Sequence, residues 1–511
     1  MTTEQPNHPV EGDLKKPTSI LFWILHVIAM IPILIVTSIP FSDYSNHLAR
    51  ITTIVRDGKS PLFPTMYHTN FQFRPYLGFD APAWLLSQIL SPDLVGKVFV
   101  LLTLTLWNFG LFRLARSRGN FGLAGCLPVL LTYNMLTIQG FLPYMMGLSL
   151  IPWYLIVFSK SSPVVKALPL LVLFPMAIFT SHQLALLVFI LGGFCLLFDP
   201  ETNPAQRKFQ VGQLAVLFLL NIVYFKMAKF GGSSAGSLEF GGVGKKIHNL
   251  IEAFLTGSLK FDLLYIAVVL ATVAFLIFTK KLALSRLSIV CLAIPFALFI
   301  VFPVKLGLAE NIDYRFVLYG LSLSFAFLIP KIASRKEFQE VGIILIALVG
   351  ARTAIVAKNF RTTDVRLAEA REAMKKLPGT PAIIVATVGE HSQWESSQWK
   401  PMAYSVANFA AVDRTAYVNT VFQEPSMMTI SHGDIGRAFD YVGRANGKAT
   451  VANVQGLLDE AKTKVATGLV QSNFQFYVMV VSTDLEELPK LPGEVAHGSY
   501  FSLYEVGQIT P

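Results

Sequence analysis

Charge is what this chain has least of. Only 14% of its 511 residues are Asp, Glu, Lys or Arg, where a soluble protein carries roughly a quarter. Cysteine is nearly absent as well. Cys126, Cys195 and Cys291 all fall inside apolar runs, so no disulfide framework is implied and they read as small core hydrophobes. Internal repeats, low-complexity tracts and heptad arrays are lacking. What fills the space is apolar: 53% of the residues are hydrophobic, 40 of them Phe, and mean hydropathy is +0.53. That balance excludes an ordinary soluble domain and points to a polytopic membrane protein. The net charge of +10 is not a nucleic-acid signature. Many of the cations sit in short loops between apolar runs, where the positive-inside bias accounts for them.

A spanning helix needs about 20 mainly apolar residues. Candidates begin near Ile20, Leu94, Phe121, Pro143, Lys166, Ser181, Gly212, Phe261, Leu287, Phe316 and Val341, which makes about eleven spans. The first is too long for a signal-peptide core and lacks a small-residue cleavage site, so it reads as a retained anchor. Lys15/Lys16, Arg113/Arg116/Arg118, Lys160/Lys166, Arg207/Lys208, Lys280/Lys281/Arg286 and Lys331/Arg335/Lys336 fall in alternate loops, which assigns those loops to the cytoplasm. Residues 1–19 become a cytoplasmic tail, 20–357 a transmembrane module with a long outer loop at 41–93, and 358–511 a further domain. In that last stretch charges become frequent and apolar runs shrink to strand length: Ala382–Val388, Phe476–Val481 and Phe501–Val506. Helical patterns at Val365–Lys376 and Val454–Val465 accompany them. An α/β domain outside the membrane is expected.

This topology puts the notable polar residues on one side. Asp43, Asn46, His47 and Arg50 follow the first span at i, i+3, i+4 and i+7, one face of a helix. Leu48 and Ile51 would line another, giving an interfacial amphipathic helix. Asp43 could cap that helix, take a proton as a general base, or ligate a divalent cation such as Mg or Mn together with His47. His182, with Gln183, marks an outer turn between two apolar spans. It could cap a helix, contact a phosphate, or share a metal with Asp43. Glu310, Asp313 and Arg315 precede the tenth span. Arg315 could anchor at the interface or hold a phosphate through its guanidinium, with Asp313 orienting it. The glycines at 231–236 and 241–244 precede Lys245 and Lys246 but lack the spacing and context of a phosphate-binding loop, so a mobile loop is the better reading. His391, Trp394, Trp399 and Tyr404 make a polar-aromatic cluster in the last domain, able to stack on sugars or to pack as core.

The stretch Phe41-Ser42-Asp43-Tyr44-Ser45-Asn46-His47 resembles, in position and chemistry, the first outer loop of the GT-C superfamily, the polytopic glycosyltransferases that use lipid-linked sugars. By motif the resemblance covers about ten residues; by architecture it extends over most of the chain, with membrane-parallel helices expected within Tyr67 to Pro92. The chain departs from the commonest pattern in having no second acid beside Asp43. The resemblance implies transfer of a sugar from a polyprenyl-phosphate donor to a glycan, lipid or protein acceptor on the outer face of a bacterial plasma (inner) membrane. Asp43 would then be the catalytic base, Arg315 and His182 the donor-phosphate contacts, and the anomeric configuration would invert. Two other classes compete: a transporter or flippase of lipid-linked glycans, and a non-catalytic scaffold for envelope assembly. Against transport stand the lack of an inverted repeat and of charged residues in mid-span.

Overall fold

The computed structural model describes residues 9–57, 59, 61–71, 73, 75–118, 123–159, 164–227, 238–306, 309–388, 402–403, 405–421, 430–433, 435, 454–467, 474–483, 488 and 490–508. The chain is mostly helical. It opens with α1 (Pro9–Leu34), turns through Asp43 into α2 (Tyr44–Arg56), and continues through α3 (Phe63–Met66), α4 (Leu77–Leu86) and α5 (Pro92–Arg116). A 3-10 segment (Ala124–Leu131) and α6 (Met135–Gln139) lead to α7 (Leu142–Ser159), α8 (Val164–Ser181), α9 (Gln183–Leu196) and α10 (Pro204–Met227). Then come α11 (Val243–Glu252), α12 (Leu259–Phe278), α13 (Arg286–Val301), α14 (Asp313–Ala326) and the 41-residue α15 (Arg335–Lys375).

Among the described residues, five helices are long and apolar enough to cross a membrane: Leu14–Leu34 of α1, then α5, α7, α12 and α15. Val172–Ser181, α9 and α13 are shorter apolar helices. Phe261, Leu264 and Phe275 on α12, with Val216, Leu219 and Leu220 on α10, turn outward and exposed. A belt of that kind suits lipid rather than water.

The span expected from Phe121 is not an α-helix of membrane length. Pro128 sits inside an eight-residue 3-10 segment, followed by the five-residue α6. The segment nevertheless runs from one end of the bundle to the other. The Cys126 thiol lies against the Thr18 carbonyl near the start of α1, and at the far end the Ile138 carbonyl accepts from the Ser42 N–H at 3.0 Å. Irregular backbone at that depth is tolerable only where protein surrounds it. Here every residue from Ala124 to Leu131 is buried. Hydroxyls and a guanidinium serve its carbonyls: Tyr265 donates to the Leu130 carbonyl at 2.9 Å and Arg352 to that of Tyr133 at 3.2 Å.

The basic loops gather at one end of the bundle. Arg116 donates to the Ser19 hydroxyl at 3.0 Å, Arg118 pairs with Asp199, the Gln206 amide donates to the Ser159 carbonyl at 3.0 Å, and Lys331 N–H donates to the Lys281 carbonyl at 2.8 Å. The Asp43 turn lies at the opposite end.

α15 joins the bundle to the C-terminal domain without a break. The change in composition near Lys358 falls inside this helix, whose core-facing stripe simply continues through Phe360, Thr363, Leu367, Ala370 and Met374. Beyond it lies a five-stranded mixed sheet, ordered Glu494–His497, Phe501–Gln508, Phe474–Ser482, Thr380–Val388 and Tyr417–Val418. The two central strands pair in parallel from Phe474↔Thr380 to Ser482↔Val388. They read as near-continuous apolar runs because both faces are covered. α16 (Phe409–Asp413) packs against α2 and α15, and α17 (Val454–Ala466) covers Phe474–Ser482 and Phe501–Gln508.

Candidate functional site

Three turns and two helices bring the site together. The turn between α1 and α2 is pinned by backbone bonds: Asp43 N–H donates to the Gln139 carbonyl at 2.9 Å, beside the Ser42–Ile138 bond. Gly140, with φ +70°, makes the opposing turn possible. A Cβ there would stand 2.5 Å from that of Phe41. The outer loop closes the third side, where Tyr76 N–H donates to the Ser181 carbonyl at 3.3 Å. Gly78 lets α4 approach so closely that a Cβ would meet Ser181 N at 2.9 Å. Tyr76 itself holds φ +72°, a strained conformation for a residue with a side chain.

Asp43 is the N-cap residue of α2, yet its side chain makes no capping bond. The carboxylate is turned instead toward Asn46, which hydrogen-bonds it, and toward the fields of Arg315 and Arg50. Burial outweighs those favourable influences and pushes its pKa up to about 7. Among the described residues it has no ion-pair partner. Such a carboxylate exchanges its proton near neutrality, which is what a general base requires.

Arg315, on the first turn of α14, lies with its guanidinium 4.6 Å from the ring centres of both Phe141 and Tyr144. Its Nε donates to the Asn311 carbonyl at 3.3 Å. The Tyr144 and Ser42 hydroxyls are buried and have no hydrogen-bond partner among the described residues. His182 caps α9: its Nδ1 accepts from Leu184 N–H at 3.0 Å, which places the proton of the neutral ring on Nε2. The ring sits between Tyr76 and Tyr144, at 5.5 and 5.4 Å. Gln183 turns away, donating to Asn221 at 3.2 Å.

The remaining candidates take other parts. α2 is not an interfacial helix with one wet face. Tyr44 through Ile54 are all buried, because the C-terminal domain covers the side that the bundle does not. Arg50 and Asp80 form an ion pair at 2.8 Å, both fully buried, with the guanidinium 4.8 Å from the Tyr76 ring. His47 packs edge-on against Phe79, and burial holds its pKa well below the usual histidine range. Asp313 is occupied by Lys246 at 3.0 Å and Asn249 at 2.9 Å, so it braces α11 against α14. Lys246 also donates to the Phe299 carbonyl at 2.8 Å. That bracing fixes the described half of the expected mobile loop. The glycines at 231–236 lie outside the described residues, as do His391, Trp394, Trp399 and Tyr404 and the side chain of Glu310. The Glu310 backbone closes a short strand against Lys305.

Among the described residues no three His, Cys, Asp or Glu side chains converge as ligands at Asp43 and His47. Tyr76, Tyr144, Phe141 and Asp80 carried no signal in the sequence. Each becomes a site residue only when the outer loop and the Gly140 turn fold onto Asp43. No family model matches the chain, and no curated protein matches it at a significant level.

Proposed function

We propose that this protein is a membrane glycosyltransferase of GT-C type, drawing its sugar from a polyprenyl-phosphate donor. The observation that carries this reading is a carboxylate poised near neutrality in the field of a buried arginine, which itself lies against the rings of Phe141 and Tyr144. The donor phosphate would sit against Arg315, with the unpartnered Tyr144 hydroxyl and His182 Nε2 as further donors. Its prenyl chain would follow the apolar flank of the bundle. Asp43 accepts the proton of the acceptor hydroxyl as that oxygen bonds the anomeric carbon. The bond from anomeric carbon to phosphate oxygen breaks, and the lipid phosphate leaves with the electron pair, its charge stabilised by Arg315. A single displacement inverts the anomeric centre. No step needs a metal. The bound end of the molecule faces outward, away from the basic loops.

Native mass spectrometry of the protein purified in mild detergent tests the donor site. A co-purifying polyprenyl phosphate or its glycoside, lost in Arg315→Ala, supports the proposal and names the sugar. Ordinary phospholipid alone in both samples would remove it.

A further inference from the structure

The sequence placed the C-terminal domain after the catalytic module and gave it no part in the chemistry. In the folded chain the two are bonded at the residues that flank Asp43. Ser45 Oγ donates to the Ser405 carbonyl at 2.7 Å, and Ser405 Oγ donates back to the Ser42 carbonyl at 2.6 Å. Arg56 at the far end of α2 donates to the carbonyls of Ala411 at 2.7 Å and Val412 at 3.0 Å. Between these lies a side-chain contact of a different kind. The Asn408 amide nitrogen donates to the Asn46 carbonyl oxygen at 2.6 Å, and both side chains are buried. The Thr420 hydroxyl donates to the Asn408 oxygen at 2.8 Å.

These bonds have a direction. Thr420 donates to Asn408, Asn408 to Asn46, and Asn46 to the Asp43 carboxylate. An amide whose oxygen is already engaged must present its N–H₂ group on the other side. Asn46 can therefore face a carboxylate only as a donor while Asn408 holds its oxygen. Chains of this kind polarise one another, so the last bond is stronger than an isolated one. We propose that Asn408 of the C-terminal domain is a positioning residue for the base: through Asn46 it fixes the orientation of the Asp43 carboxylate and favours its ionised form. This inference rests on the reading of Asp43 as the base. It makes the C-terminal domain an integral part of the site and not a separate recognition module.

The other charged and titratable groups around Asp43 are not members of the relay. Arg315 on α14, Arg50 on α2 and Tyr76 of the outer loop act on Asp43 directly, and His47, Asp80, His182 and Tyr144 act on those same groups. Substitution at Asn408 leaves all of them in place. With the donor lost, Asn46 is free to rotate its oxygen toward the carboxylate, which disfavours the charge. The proton should then be held to higher pH.

Infrared spectroscopy of the purified protein, titrated across neutrality, tests this without any substrate. The protonated-carboxyl band that vanishes in Asp43→Asn belongs to Asp43. In Asn408→Ala its midpoint should rise by ~0.5–1 pH unit, about half the worth of one direct hydrogen bond to a charged group, because Asn408 acts on the carboxylate only through Asn46. Asn408→Asp, which cannot donate while ionised, should shift it at least as far. Thr420→Val, at the outer end of the relay, should shift it less but in the same sense. A midpoint in Asn408→Ala that coincides with wild type overturns the inference. If Asn408→Ala fails to fold, an unmoved midpoint in Thr420→Val overturns it equally. The functional reading fails separately, if Asp43→Asn still releases lipid phosphate from the co-purified donor whatever the band does.

Discussion

Two aspartates near the same end of the bundle show how burial sorts a carboxylate into structure or chemistry. Asp262, at the start of α12, is fully buried and saturated. It accepts from Thr256 N–H at 2.7 Å, Thr256 Oγ1 at 2.9 Å and Ser258 N–H at 3.1 Å, and it pairs with Arg352. Arg352 is matched in turn by the Phe254 carbonyl at 2.9 Å and the Tyr265 ring at 4.7 Å. Asp43 has a single side-chain amide and two arginines acting through space. Nothing chemical remains for Asp262 to do, because every lone pair is committed. Asp43 keeps a proton equilibrium open.

The comparison breaks if the two behave alike on substitution. Asp262→Ala strands a buried guanidinium and should cost about 3–5 kcal/mol, seen as a steep fall in thermal midpoint in detergent and in yield. Asp43→Asn should leave the thermal midpoint within a degree or two of wild type, or raise it slightly above pH 7, where the native protein holds a poorly compensated charge. The same variant should lose more than roughly a hundredfold in transfer rate. A large stability loss at Asp43 would make it a second Asp262. The pH profile sharpens the contrast further. A carboxylate with a raised pKa is protonated below it, so transfer should be weak at pH 6, rise through a midpoint near 7 and level off above. A flat rate between pH 5 and 8 would assign the base elsewhere.

The three long apolar runs of the C-terminal domain became strands because continuous Val, Ile and Phe segments suit a sheet covered on both faces. Asp43, Arg315 and His182 could be picked out because polar groups at the mouth of apolar helices are costly there. What the chain concealed is of two kinds. The 3-10 segment at Ala124–Leu131 looks like a span by hydropathy, because hydropathy is blind to a proline that breaks the helix inside protein. Tyr76, Tyr144 and Asn408 are concealed because their roles depend on partners 33 to 362 residues away in sequence, visible only once the chain has folded. Composition suggested a boundary near Lys358. The helical period of α15 carries straight through it.

Arg371 offers a smaller test of whether the C-terminal domain is part of the site. Near the end of α15 its guanidinium grips Asp93 of the bundle at 2.8 Å and Asp413 of the C-terminal domain, donates to Ser38 Oγ at 2.6 Å, and stacks 4.6 Å over Phe409. The pair is partly exposed on the Asp93 side, so its worth is discounted for solvent. Arg371→Ala should therefore lower stability by only about 1–3 kcal/mol. Its effect on rate should exceed what that loss predicts. Loosening the junction displaces Asn408 from Asn46, and a small misplacement of a base costs far more in rate than in stability. Limited proteolysis should cut Arg371→Ala in the domain junction sooner than wild type, while transfer falls about tenfold. Rates equal to wild type, with the junction plainly loosened, would mean that Asp43 keeps its geometry without the C-terminal domain. The saturated and the poised aspartate would then differ only in what the bundle gives them.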